Sequence, residues 1–138
     1  MGEIVVEIEL ENFEDRIDAL RGRIDVAAVR RETIRAVADT GARMLALPQD
    51  VVDRLGLGEI ERVATVYADG RSGELPVAGY MMLRIGEREM QTDCIVVPEG
   101  AEALLGQIAM ERLDLIADCA NQTLGPRPES PDRPLLRV

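Results

Sequence analysis

Asp39 occupies the setting in this sequence that most suggests chemistry: Asp39-Thr40-Gly41-Ala42, between the apolar runs Ala36-Val37-Ala38 and Met44-Leu45-Ala46-Leu47-Pro48. A carboxylate held on a turn between two strands can take a proton from a bound water or give one to a leaving group. The sequence offers little else for such work. It has no His, so it has no Ser–His or Cys–His pair and no histidine zinc site. It has no Lys, since all 16 basic residues are Arg, which removes Schiff-base chemistry and a P-loop lysine. Cys94 and Cys119 are too few for a thiolate zinc site and lack a partner base. An enzyme made from this chain therefore works through carboxylates, and no metal or organic cofactor is expected.

The tripeptide alone is also compatible with a plain turn, in which Asp39 and Gly41 serve only the backbone. Other candidates offer less. Asp114 and Asp118 are not followed by Thr-Gly or Ser-Gly, and Asp50 and Asp53 flank the face of a short helix. Tyr67 and Tyr80 read as packing residues on strands, and Met81, Met82 and Met90 as plastic core.

The surrounding elements follow from periodicity. Ile4, Val6, Ile8 and Leu10 alternate with Glu7, Glu9 and Glu11, the period of a strand with one wet face. A charged connection over Asn12 to Arg21 leads to an extended region around Ile24 to Val29, then to the strand Thr33 to Ala38 that ends at Asp39. Pro48 to Leu55 reads as a short helix, with Pro48 at its first position, an apolar stripe of Val51, Val52 and Leu55, and Gly56 closing it. Strands over Val63 to Tyr67 and Leu75 to Ile85 are joined by Ala68-Asp69-Gly70-Arg71-Ser72-Gly73, which is turn chemistry. A tight turn at Gly86 leads into Met90 to Val97. Leu104-Leu105-Gly106 precedes a helix over Gln107 to Leu113 and a strand over Leu115 to Asp118. Strands first and last with very short helices make the class mostly β. The chain suits one domain, residues 1–124, followed by a tail, residues 125–138, whose Pro126, Pro128, Pro131 and Pro134 favour an extended arm outside any sheet ladder.

This succession, from about Glu3 to Leu124, resembles the retropepsin-like aspartic peptidases, in particular their small single-domain bacterial relatives. The resemblance implies a closed β fold with the active site on a two-fold axis, each protomer of a homodimer supplying one Asp-Thr-Gly loop. Asp39 would then face its own copy as the catalytic residue. Thr40, Gly41 and Ala42 would support the loop. Ala68, Asp69 and Gly70 would form a flap over a bound peptide, and Leu104, Leu105 and Gly106 would pack beneath the catalytic loop. Two carboxylates about 3 Å apart hold one proton between them, which suits hydrolysis at acid to mildly acid pH. Arg43 and Gln107 stand where retroviral enzymes commonly carry an acidic residue and an arginine, so that ion pair is absent as such.

The net charge of −10 disfavours nucleic acid as a partner. No apolar run is long enough to span a bilayer, and the acidic start of the sequence is unlike a signal peptide, so a cytoplasmic protein with reduced cysteines is expected. The leading function is an endopeptidase acting on extended peptides. The alternative is a non-catalytic peptide-binding or dimerisation module on the same fold. A third reading has the tail lying in the cleft until displaced.

Overall fold

A computed structural model describes residues 3–137; Met1, Gly2 and Val138, at the outer ends of the expected domain and tail, lie outside the described residues. Strand β1 (Ile4–Asn12) buries Ile4, Ile8 and Leu10 and exposes Glu7 and Glu9, as its alternation requires. It pairs antiparallel with β2 (Arg31–Ala38), from Ile4 opposite Ala38 to Glu11 opposite Arg31.

The region between them departs from expectation. Residues 13–20 form helix α1 (Phe13–Leu20) rather than a polar connection, and Val26–Ala28 make a single 3₁₀ turn rather than an extended segment. The cause of α1 is local. The Asn12 side chain accepts a hydrogen bond from the Asp15 N–H at 2.9 Å, with Glu14 and Asp15 filling the first turn. Asp25 caps the 3₁₀ turn in the same way, through the Ala27 N–H at 3.1 Å.

Beyond the Asp39 loop come β3 (Ala46–Pro48) and α2 (Gln49–Leu55), the latter burying Val51, Val52 and Leu55. Pro48 is the extended residue before α2 rather than its first helical one, and Gly56 ends the helix at φ +67°, where a side chain would be strained. A long hairpin follows, β4 (Gly58–Val66) and β5 (Ser72–Ile85), then β6 (Arg88–Val97), β7 (Ala103–Leu105), α3 (Gln107–Arg112), β8 (Leu115–Asp118) and β9 (Thr123–Pro126). The expected strands at 63–67 and 75–85 are thus longer than periodicity suggested.

The main sheet has the order β1-β2-β7-β3-β6-β5-β4, and pairing of β1 with β5 closes six of these strands into a barrel, leaving β4 attached to β5. Leu10, Leu47, Leu55, Met81, Leu83, Leu105 and Cys94 fill its interior, an aliphatic core in a chain that is 2% aromatic. Both cysteines are free. Cys94 is one of these core residues, and burial pushes its thiol up to about 12, which makes it unreactive.

One topological detail positions the site. Strand β7 lies between β2 and β3, parallel to the first and antiparallel to the second. The chain running from β2 to β3 must therefore arch over the end of β7, and Asp39 lies on that arch. At the other end of the sequence, Thr123–Pro126 pairs with β8, so the first part of the expected arm is a strand. Pro126 is tolerated because it sits at the end of a two-stranded ladder that asks it for no further N–H.

Candidate active site

Asp39 follows the last residue of β2 and is held from both sides. Its N–H donates to the Leu105 carbonyl at 2.9 Å, continuing the parallel ladder of β2 on β7. Its carbonyl accepts from the Ala42 N–H at 3.1 Å, and its Oδ1 accepts from the Gly41 N–H at 2.9 Å. This side chain-to-backbone bond fixes the carboxylate's orientation. Oδ2 accepts no hydrogen bond from the described residues. Asp39 is half-buried, Thr40 and Gly41 are exposed and Ala42 is half-buried, so the loop faces outward rather than into its own chain.

The support beneath the loop is backbone on backbone. Gln107 and Ile108, the first two residues of α3, donate their N–H groups to the carbonyls of Ala42 (2.8 Å) and Arg43 (3.1 Å). These N–H groups have no partner within the helix, and the loop's carbonyls satisfy them. Between β7 and α3, Gly106 approaches so closely that a Cβ there would lie 2.6 Å from the carbonyl oxygens of both Arg43 and Met44. Leu105 is fully buried beside it and Leu104 partly buried. The structure thus brings Leu104, Leu105 and Gly106 together with Asp39, Thr40, Gly41 and Ala42. Arg43 is exposed and has no carboxylate partner among the described residues, while the Gln107 side chain donates to Glu111 at 2.9 Å.

Ala68, Asp69 and Gly70 lie apart from this assembly, at the exposed tip of the β4–β5 hairpin. No hydrogen bond joins them to the Asp39 loop among the described residues. The tip is bonded to itself. Asp69 accepts the Arg71 N–H (3.0 Å) and pairs with Arg71 Nε (2.6 Å), and the Arg71 backbone and side-chain hydrogen bonds hold the pKa of its carboxyl below the usual carboxylate value. The Arg71 guanidinium sits 5.6 Å from the centre of the Tyr67 ring, which itself covers Gly73. Sequence reading singled out the turn but not Tyr67 and Arg71 as its clasp; an aromatic and an arginine flanking Asp-Gly were the available signal.

The other acids are committed elsewhere. Asp118 accepts from the N–H groups of Ala120 and Asn121 in the β8–β9 turn, Asp50 pairs with Arg54, and Asp53 accepts from Gln49. Asp114 is buried, accepts the Leu135 N–H at 3.0 Å and pairs with Arg127 at 2.6 Å. Among the described residues no group of three or more His, Cys, Asp or Glu is placed to hold a metal ion.

Compared with known families, residues 25–112 match the gag-polyprotein putative aspartyl protease family. The chain belongs to this family. The matched stretch runs from just before β2 to the end of α3, so it contains the Asp39 loop, the β4–β5 hairpin and the Gly106 support, while β1, α1 and everything after α3 lie outside it. No curated protein matches the chain. The mostly β, single-domain retropepsin-like fold expected of an aspartyl protease domain is the fold observed. No described helix is long and apolar enough to cross a membrane.

Proposed function

We propose that the protein is an endopeptidase that works as a homodimer, with Asp39 of each protomer contributing one carboxylate to a shared dyad. The observation that carries this reading is the Asp39 loop itself: one Asp-Thr-Gly per chain, held rigidly from beneath, open on its outer side, in a chain of the aspartyl protease family. One carboxylate per protomer is half of what acid–base hydrolysis by this route requires, and a second copy supplies the other half.

In the dimer the two side chains compete for one proton. The ionised member takes a proton from a bound water, which attacks the scissile carbonyl, and the protonated member stabilises the developing oxyanion before serving the leaving nitrogen. The substrate is an extended peptide, which an exposed hairpin such as β4–β5 can cover by adding strand-like backbone hydrogen bonds. The cytoplasm is the proposed location, in keeping with two free cysteines.

The test joins sedimentation at several concentrations and pH values to cleavage of a peptide library. Cleavage that rises with the dimer fraction between pH 4 and 6 supports the proposal. A stable dimer without cleavage at any pH from 3 to 8 replaces it with a peptide-binding or dimerisation module.

A further inference from the structure

We infer that Arg88, acting with the C-terminal segment 127–135, is a positioning residue for the Asp39 loop, an inference that rests on the proposed peptidase reading. Arg88 opens β6 and is only 7% exposed. It forms no ion pair among the described residues. Its guanidinium donates instead to three carbonyls: Nη1 to Leu113 (2.8 Å) and Asp114 (3.0 Å), and Nη2 to Ser130. A buried cation deprived of such acceptors is costly, so the three carbonyls are held as a set.

Two of those acceptors, Leu113 and Asp114, follow directly on α3 and the third belongs to the tail. A second clasp lies alongside. Asp114, at φ +56°, accepts the Leu135 N–H and pairs with Arg127, and the Ser130 N–H donates to the Arg127 carbonyl at 2.9 Å. Ser130 is 2% exposed. The tail is therefore fastened to the end of α3 and the start of β6. Among the described residues no hydrogen bond joins residues 127–135 to the Asp39 loop, of the kind that a tail lying in the cleft until displaced would suggest.

Helix α3 has six residues, a rod of roughly 9 Å. Its first two N–H groups hold the carbonyls of Ala42 and Arg43, and its end is held by Arg88. A short helix fixed at both ends transmits displacement, and Gly106 leaves no slack between it and the loop. Residues 113–135, which make the latch with Arg88, lie beyond the family match. Apart from Arg88, the latch thus lies outside the stretch that the family model covers.

The test deletes residues 127–138 and follows native-state amide exchange together with peptide cleavage. The expected result is exchange about tenfold faster at Asp39, Ala42, Gln107 and Ile108, with the β5–β6 ladder unchanged, the selectivity of a local opening. Cleavage should lose kcat about tenfold with KM nearly constant, as for loss of orientation at the reacting centre. Unchanged exchange at those four amides overturns the inference. So does acceleration that the β5–β6 ladder shares, which would make the tail a general stabiliser. Should the deletion fail to fold, Arg88→Lys and Leu135→Pro cut the two clasps separately and are read by the same criteria. Asp114→Asn, which still accepts the Leu135 N–H, should stay nearer wild type than Asp114→Ala. Exchange needs no substrate, so an inactive protein defeats the peptidase reading alone, and normal catalysis with unaltered exchange defeats the latch alone.

Discussion

The backbone of Gly106 is pressed against the carbonyl of Arg43 with less room than one methyl group needs. Its φ of −90° is open to any residue, so the constraint is space and not conformation. Gly106→Ala must push the Asp39 loop and α3 apart, because both neighbours are backbone and neither can rotate away. The expected cost is about 1–3 kcal/mol of folding stability, in the range of overpacking, measured by urea unfolding. Peptide cleavage should fall by more than stability alone explains. Gly125→Ala, with nothing within 4 Å of the added Cβ, is the control and should leave the urea midpoint in place.

How far the sequence spoke for itself depended on the range of the forces involved. Gly56, the Asp-Gly of the hairpin and the alternation of β1 act within a few residues and were legible. Helix α1 obeys equally local rules, with Asn12 as its cap, but it buries Asp15 rather than an apolar stripe, so its run of charge resembled a loop. The insertion of β7 between β2 and β3 is a pairing of distant segments and leaves no periodic trace. The latch was hidden for a further reason. Arg88 binds carbonyls 25, 26 and 42 residues away, and backbone acceptors have no residue type to recognise. Four prolines suggested a free arm because nothing in their spacing announces Ser130 and Leu135 as anchors.

The clasp at the hairpin tip predicts a split between binding and stability. Arg71→Ala removes the partner of Asp69 and the cation over Tyr67. All of these groups are exposed, so the unfolding midpoint should not move. On the proposed reading, in which the hairpin covers the substrate, a looser tip costs more entropy to order. Steady-state kinetics should show a KM several-fold higher with kcat within about twofold, the mark of lost uniform binding. A fall in kcat at constant KM would place Arg71 in the chemistry instead.

Ion pairs set the acid limit of the fold. The Arg30 side chain holds the pKa of Asp15 below the usual carboxylate value, Arg16 does the same for Glu89, and the hydrogen bond from the Leu135 N–H is the leading cause of the same downward shift at Asp114. Each folded value lies below the unfolded one, so the stabilisation is complete above about pH 4–5. It is lost as pH falls through the depressed values. Thermal unfolding should therefore hold its midpoint from pH 7 to about 5 and drop below about 4, leaving the fold intact where a singly protonated dyad is expected. Asp114→Ala should flatten the acid limb. A midpoint that climbs on acidification below pH 4 would contradict the sign.

Asp39→Asn separates chemistry from architecture, because the Asn carbonyl oxygen can still accept the Gly41 N–H that fixes the loop. The variant should keep its urea midpoint and its sedimentation behaviour while losing cleavage to background. Mixing gives a sharper result. If each active unit needs two ionisable Asp39 side chains, an equimolar mixture of wild type and variant that exchanges subunits freely retains about a quarter of the wild-type activity per total chain, since only one random pair in four is wild type on both sides. If a single protomer suffices, half remains. Activity is followed as the variant is titrated in, at concentrations where the dimer is saturated. A quadratic decline identifies a shared dyad, whereas a linear one returns Asp39 to a role within its own chain.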